Sequence, residues 1–534
     1  MAMVQQLELK IWDTHLSILS PPLGICSCVR HCHVQTSCLS GKKPLNCLIL
    51  AFLLESKFVM AEAARRAVAG WKRWVSQISL TAVYVLSCGL YNPFTRRCKS
   101  MEQRLFQLRQ FLATGVRNPL ELRAFLGISQ PTLSRALNKI REEIITIGKG
   151  RSIHYALRDT YDGVRPEHIY RVGTDGEVEL IGTLTPVQPE GFVIGSDEYG
   201  RERFDGLPWW LYDMRPQGYL GRAYASAYAE ELDLPNDPKF WSEKDVIKAL
   251  ALHGHDATGN LLIGEGACED FMNMTFPVPV NRQLNYPAMA RAASDGEIPG
   301  SSAGGEQPKF CTYTDYGHVI VKFTIAAGNQ ISERWADLLL AEHIALDVLG
   351  VPTYVFDFGD QRFLEIPRFD RVGVRGRVGM LSLEALNLEF VGAPPGHWPT
   401  LVKRLAQDGH VRPEACDETE FRWAFGRLIG NTDMHRGNLS FVTSGGRPYS
   451  LSPAYDILPM CFSPKTSGEV PDTLTPIVVS GHASQDNWIR ALEHARVFLE
   501  KIRNHEGFSD RFRPCIDAIA FNIGQASIQI NTRH

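Results

Sequence analysis

From residue 101 onward the chain switches repeatedly between helical and strand periodicities. Leu105, Phe106, Leu108, Phe111 and Leu112 predict an amphipathic helix over 102–112. Leu120, Leu122 and Phe125 predict a second helix over 119–126, with these as its inward residues. A Gly127-Ile128 turn follows, and Ser129 is placed to N-cap a third helix, 130–143. Leu133, Leu137 and Ile140 recur along it at i, i+4 and i+7. Residues 144–147, a Gly148-Lys149-Gly150 turn and residues 152–157 then read as a hairpin. Three helices and a hairpin predict a winged helix-turn-helix over residues 101–160. The face of the third helix away from its apolar stripe carries Gln130, Thr132, Ser134, Arg135, Asn138 and Lys139, and Lys149 and Arg151 stand near the hairpin tip. Such side chains donate to base edges and phosphates, so duplex DNA is the partner expected here. A helical module for protein contact or dimerisation is the alternative.

Further along, strands are expected over 169–172, 178–183 and 191–194, and a helical, aromatic-rich stretch over 207–214. No catalytic constellation stands out in 161–290, which reads as an N-terminal lobe or cap. Strands at 309–314 and 318–323 precede a helix at 332–349. The first 100 residues differ from all of this. They lack sustained periodicity and hold seven of the 12 cysteines, so they are expected to be a dispensable extension. The cysteine- and histidine-rich run at 26–33 does not have the usual zinc spacing. Apolar stretches near 45–54 and 78–90 are shorter than the roughly 18–20 residues that span a bilayer. No membrane contact and a cytoplasmic location are expected.

Charge sharpens the division. Residues 1–100 carry 12 Lys+Arg against 4 Asp+Glu, residues 101–160 carry 10 against 5, and the rest 34 against 50. A basic front on an acidic body places a nucleic-acid contact near the front. A hydrophobic content of 44% with 22% charged residues excludes a disordered or membrane-spanning body.

The chemistry concentrates in Asn431-Thr432-Asp433-Met434-His435-Arg436-Gly437-Asn438. An Asp, four residues, then an Asn is the spacing of a protein-kinase catalytic loop, where the Asp orients the attacking hydroxyl and the Asn holds Mg²⁺. Asp456 follows where a kinase keeps its other metal-binding Asp. Upstream, Ser301-Ser302-Ala303-Gly304-Gly305 is a small-residue loop whose backbone can approach phosphates closely. Lys322 is a lone cation in an apolar strand, costly unless paired. The next helix offers Glu333, Asp337 and Glu342 as partners, and 363–370 reads as a connector between lobes. Singly, these features are ordinary turns, hairpin loops and an edge lysine. In this order they predict a phosphotransferase.

SSAGGEQPKF, VIVKF, IPRFDR, GNTDMHRGNLSF and PAYDILP resemble the HipA family of bacterial serine/threonine kinases, the toxin half of type II toxin–antitoxin pairs. The resemblance spans roughly residues 165–525, and the fused helix-turn-helix is similar to the YjjJ-type branch. It implies an α+β fold: a two-lobed, protein-kinase-like HipA fold with an all-α C-terminal part, preceded by the winged helix-turn-helix. An N-terminal lobe at 161–370 and a mainly helical catalytic lobe at 371–534 are then expected. By resemblance Asp433 is catalytic, Asn438 and Asp456 hold Mg²⁺, and Lys322 holds ATP phosphates. Ser302, Ala303, Gly304, Gly305, Phe369 and His435 complete the nucleotide site, and Ser301 or Ser302 is the autophosphorylated serine. Pro367 replaces the family's acid before Arg-Phe-Asp-Arg, which leaves adenine to backbone groups or to Glu365. Glu333 is taken as the helix acid. The expectation is an ATP- and Mg²⁺-dependent serine/threonine kinase with a protein substrate and bound DNA; a homodimer is left open. The alternatives are a DNA-binding regulator whose kinase-like domain senses nucleotide, and a small-molecule kinase.

Overall fold

The computed structural model describes residues 100–532, apart from 161–164, 197–199, 296–306, 327, 395 and 445. The expectations placed on residues 1–99, including the run at 26–33, lie outside the described residues. So do those placed on Ser301, Ser302, Ala303, Gly304 and Gly305.

Where the winged helix-turn-helix is expected, the chain forms α1 (Met101–Ala113), α2 (Pro119–Leu126), α3 (Gln130–Lys139), β1 (Ile144–Ile147) and β2 (His154–Leu157). Ser100 caps α1, and Asn118 with Glu121 forms a capping box on α2. Leu108, Leu112, Leu122, Leu126, Leu133, Leu137 and Ile140 make the core. Two of the expected inward residues do not belong to it: Phe106 is 59% exposed and Leu120 is 71% exposed. Phe125 lies at the margin, stacked on Phe111 at 4.1 Å. The third helix stops at Lys139 rather than 143, because Glu143 is drawn back to α1 by Arg109, which donates to it from Nε and Nη2 at 2.6 Å each. Those hydrogen bonds hold the Glu143 carboxyl below its ordinary range. Ser129 occupies the N-cap, but its hydroxyl meets that of Thr132 at 3.1 Å instead of a backbone N–H.

The next strands are β3 (Glu167–Val172), β4 (Val178–Pro186), β5 (Phe192–Ser196) and β6 (Gly200–Phe204). Helices α4 (Gly218–Tyr228) and α5 (Glu243–His253), strand β7 (Leu261–Ile263) and α6 (Gly264–Asn273) follow. The antiparallel sheet runs β6-β5-β4-β3-β7 and buries Ile169, Leu184, Phe192 and Ile263 against Val246 and Leu250 of α5. The β1–β2 hairpin is fastened to this sheet. Ile145 and Ala156 share a small core with Val187 and Val193, and Arg201 Nη1 donates to the Thr146 carbonyl at 3.1 Å. Lys244 of α5 pairs with buried Asp159 just past the hairpin.

A second antiparallel sheet, built on α7 (Arg282–Asp295), begins with β8 (Lys309–Thr314) and β9 (Gly317–Phe323). After α8 (Gln330–Val348) come β10 (Tyr354–Phe358) and β11 (Gln361–Pro367), in the spatial order β10-β11-β9-β8. The span expected as one N-terminal lobe therefore holds two sheets. Strand alternation sorts the faces of the second. Val319, Val321, Phe323 and Phe363 pack under Tyr286 of α7, while Lys322 points to the opposite side, toward α8. Glu365 is fully buried on the α7 side. It accepts from Arg282 at 2.7 and 3.0 Å, from the Thr314 hydroxyl at 3.2 Å and from the Tyr286 hydroxyl. The expectation that Glu365 serves adenine is overturned, because it sits on the wrong face with every lone pair engaged.

The C-terminal lobe contains β12 (Arg371–Val372), β13 (Gly376–Arg377), β14 (Met380–Ser382), α9 (Leu383–Phe390), α10 (Trp398–Gln407) and α11 (Glu414–Ile429). Then come β15 (Ser440–Val442), β16 (Ser450–Leu451), α12 (Gln485–Asn504) and α13 (Arg513–Asn531). It is mainly helical but not all-α: β14, β15 and β16 form a small sheet. Trp398, Leu401, Phe425, Leu428, Trp488, Phe498 and Ile519 fill the largest core, which also takes Leu338, Ala341 and Ile344 of α8. Among the described residues no helix is long and apolar enough to cross a membrane.

Arg282→Ala would leave Glu365 buried without its cation. A loss of about 3–5 kcal/mol is expected in urea unfolding. Replacing Arg404, whose partner Asp408 is a surface one, should cost less than about 1 kcal/mol.

Candidate active site

Lys322 is 5% exposed on the middle of β9. Its Nζ donates to Glu342 Oε1 on α8 at 2.6 Å and pairs with Asp456 of the C-terminal lobe. Burial alone would lower the ammonium's pKa, but Asp456 and Glu342 together hold it above the ordinary value. Burial likewise opposes the charge on Asp456, yet Lys322 and then Lys309 outweigh it and hold that carboxyl down at about 2. Glu342 shifts the other way, raised by burial that Lys322 only partly offsets, and its Oε2 is buried without a partner.

The helix acid is therefore Glu342, not Glu333. Glu333 pairs with Arg511 at 2.7 Å on the outside, and Asp337 accepts from Ser509 at 2.6 and 2.8 Å. Nine residues on from Glu333, Glu342 lies on the turn of α8 that faces β9.

The loop bearing Asp433 is fixed by its own side chains. Helix α11 ends at Gly430, whose φ of +87° continues to a bond from Asn431 N–H to the Gly426 carbonyl at 2.8 Å. A Cβ at Gly430 would stand 2.7 Å from Cys461 Sγ. Buried Asn431 accepts from Asp433 N–H at 3.0 Å and donates to the Asp456 carbonyl at 3.3 Å, so one amide ties the two segments together. Asn438 Nδ2 donates to the Asp433 carbonyl at 2.8 Å. Trp398 Nε1 donates to the His435 carbonyl at 2.9 Å, and the Tyr455 hydroxyl to that of Gly437 at 2.8 Å. Asp456 takes a left-handed φ of +53°, which aspartate tolerates better than most residues. The Asp433 side chain itself is exposed to the cleft.

These groups line one cavity of about 840 Å³. Lys322, Glu342, Asp433, His435, Asn438 and Asp456 all border it, as do Gln307 and Lys309 directly after the Gly-rich stretch. Phe369 does not; it stacks on Tyr455 at 5.9 Å, behind Asp456. The wall also includes residues that sequence reasoning missed, namely Tyr212, Asp213 and Glu384. Asp213 accepts the Ser382 N–H at 2.6 Å, and burial raises its pKa against the pull of that bond. No spacing signal marks it. Glu384 binds Arg436 and so clamps the catalytic-type loop to α9.

Residues 164–272 match the family model described as "YjjJ-like toxin, middle domain", and residues 301–519 match "HipA-like C-terminal domain". The chain is 39% identical over 422 residues to Toxin YjjJ of Escherichia coli (strain K12), covering 76% of this chain and 95% of that one. Among solved structures it is similar to a Shewanella oneidensis HipA–HipB–operator DNA complex, with 16% identity, 68% of this chain, 97% of that chain and a TM-score of 0.48. It is also similar to the Helicobacter pylori proinflammatory kinase CtkA, with 13% identity, 42% of this chain, 93% of that chain and a TM-score of 0.30.

A carboxyl with a depressed folded pKa contributes stability above the unfolded value that is lost as pH falls through the folded one. Acid unfolding of the wild type should therefore draw on Asp456 down to about pH 2. In Lys322→Met the Asp456 carboxyl should titrate higher, and acid unfolding followed by circular dichroism should begin at higher pH.

Proposed function

This chain belongs to the YjjJ-like toxin family and carries its HipA-like C-terminal domain, and on that premise we propose that it is an ATP- and Mg²⁺-dependent serine/threonine protein kinase with a DNA-binding module fused ahead of it. The observation that carries the reading is the buried Lys322, joined to Glu342 on one side and Asp456 on the other, in the same cavity as Asp433 and Asn438. A kinase uses this Lys–Glu pair to hold nucleotide phosphates, and it needs an Asp and an Asn at this spacing for metal and hydroxyl.

The residues fit a Mg·ATP ligand. The Asn438 amide nitrogen is engaged by the Asp433 carbonyl, which leaves its oxygen for a cation, and Asp456 supplies a second hard oxygen. Mg²⁺ is commonly held by one or two protein oxygens together with substrate phosphates, and it would supply charge neutralisation to the transferring group. Lys322 and Lys309 attract the phosphates. Asp433 is positioned to accept a hydrogen bond from the acceptor hydroxyl and aim its lone pair along the line of attack. Its loop is held by the Asn431, Asn438 and Trp398 bonds, so little reorganisation is left for the transition state.

A polypeptide acceptor is supported by a second depression of about 600 Å³, lined by Asn431, Thr432 and Met460 and extending to Arg427, Lys465 and Glu469. Self-modification at Ser301 or Ser302 is supported by what brackets them. Helix α7 is tied to the sheet through Arg282, and Gln307 Nε2 donates to the Phe323 carbonyl at 2.7 Å beside the cavity. A phosphoserine in that stretch would add roughly −1.5 to −2 charge and so oppose a bound triphosphate.

DNA binding is supported by the outward face of α3 and the hairpin tip. Gln130, Ser134, Arg135, Lys139, Lys149 and Arg151 are exposed, and Thr132 is half-buried.

With γ-labelled ATP and a cell lysate, the wild type should label proteins and its own peptide spanning residues 299–309. Asp433→Asn should lose both, by about 10³-fold or more in rate, with Mg·ATP binding retained. Asp456→Asn should lose binding as well. Wild-type turnover in either variant, followed by scintillation and mass spectrometry, would refute the kinase reading.

Duplex binding by the full chain should weaken steeply with salt, because each displaced phosphate counterion contributes a slope of about −0.9. Arg135→Ala should reduce both affinity and slope in a fluorescence-anisotropy titration. An unchanged salt slope would assign α3 to a protein contact.

A further inference from the structure

A third cavity, of about 220 Å³, shares no lining residue with the other two. It opens on the same face of the β8–β9 ribbon as Lys322 but toward the other end, where Tyr313 and His318 pair. Phe271 of α6 and four arginines, Arg368, Arg371, Arg375 and Arg377, close around it.

Two carboxylates pair with two of these four cations. Asp370 and Asp256 both bind Arg368, at 2.9 and 3.2 Å, and both bind Arg371, at 2.6 and 2.8 Å. Arg375 and Arg377 have no carboxylate partner among the described residues. Arg375 gives Nη2 to the Phe271 and Met272 carbonyls at 2.7 and 3.2 Å, and its Nε is buried without a partner. Arg377 is 3% exposed; its Nη2 meets the His255 carbonyl and its Nη1 is buried without a partner. Both guanidinium groups lie over the Phe271 ring, at 4.9 and 4.6 Å. Burial, and then the nearby Arg371, pull Arg377 down to about 9, which leaves it charged at neutral pH.

A buried cation with no carboxylate in direct contact is costly, even with Asp256 and Asp370 nearby, and the fold does not let this one retreat. The Arg377 N–H donates to the Gly173 carbonyl at 2.9 Å, and a Cβ on Gly376 would lie 2.0 Å from the Thr174 carbonyl oxygen. The β12–β13 hairpin is thus pressed against the β3–β4 turn, with two guanidinium donors held in place and unused.

We propose that this cavity binds a phosphate group, a tetrahedral oxyanion held by Arg377 and Arg375, which line it and carry no carboxylate of their own. Fixed guanidinium forks suit such an anion better than any other common ligand. Phe276 and Val278 are exposed on either side of Pro277, which lines the cavity, so a phosphate carried on a peptide with apolar neighbours gains contacts that the free ion lacks.

The test uses the full chain as wild type, Arg377→Gln, Arg375→Gln and Lys322→Met. Thermal melts in inorganic phosphate are compared with melts in chloride at equal ionic strength, and Kd is measured by calorimetry. Phosphate should raise the Tm of the wild type and of Lys322→Met alike. Arg377→Gln should lose that rise, and Arg375→Gln should raise Kd by about tenfold, the loss of one charge-assisted hydrogen bond. A phosphoserine peptide with apolar flanks that binds more tightly than phosphate identifies a peptide ligand; equal affinity identifies the free ion. No phosphate-specific rise in the wild type overturns the proposal. So does a rise that survives in Arg377→Gln, or one that vanishes only in Lys322→Met. Should Arg377→Gln fail to fold, an unchanged Kd in Arg375→Gln overturns it equally.

Discussion

Placing the ammonium of Lys322 inside the protein costs several kcal/mol unless opposite charge meets it there, and removing one partner of such a pair costs about as much again. The chain meets it with carboxylates from two distant segments, Glu342 on α8 and Asp456 beyond the catalytic-type loop. Much of the architecture follows from that requirement. Helix α8 must cross the sheet where Glu342 reaches β9, which buries Leu338, Ala341 and Ile344 in the core of the other lobe. The C-terminal lobe must close far enough to bring Asp456 within reach. Two acids against one lysine leave an excess of negative charge. It falls on Glu342, whose second oxygen has no partner and whose pKa rises with burial. Lys309 moderates this from the adjacent strand.

On the other side of the cleft, rigidity comes from short polar bonds. Asn431 is the pivot: its one side chain serves both the Asp433 turn and the Asp456 carbonyl. Asn438 and Trp398 hold the following carbonyls, and Tyr455 bonds to both Gly437 and Ser440. Buried amides that bond to the backbone fix a loop more firmly than apolar contact, because breaking such a bond leaves a buried polar atom unpaired. The exposed carboxylate of Asp433 therefore stands on a stiff base.

Much of this was legible in the sequence, and the failures have physical reasons. The helices of the N-terminal module followed from periodicity, because each has one solvated and one buried face, while β1, β8 and β9 followed from short runs set off by turn residues. Phe106 and Leu120 misled because an apolar residue beside the stripe looks the same in sequence as one inside it. Lys322 announced itself as a cation in an apolar strand, but its partner did not. Four acids occur on α8, and only the crossing angle of helix and sheet selects Glu342. Glu365 stood two residues from the family's usual acid position, but at its own place on β11 it packs under α7, where Arg282 takes it. Asp213 and Tyr212 reach the cleft from a short 3₁₀ helix, Trp209–Met214, far from the other lining residues in sequence, a relation that local pattern does not encode.

The β1–β2 hairpin shares its core with Val187 and Val193 of the neighbouring sheet, and Arg201 and the Lys244–Asp159 pair lock the join. The three-helix module is therefore mounted, not tethered. A tethered head samples every bearing, and whatever it grips has little say in where the rest of the molecule points. A mounted head transmits its own orientation. If α3 sits in a groove, the mouth of the cleft is aimed in one direction at one reach, and candidate acceptors are sorted by where they stand along the duplex before their sequence is read at all.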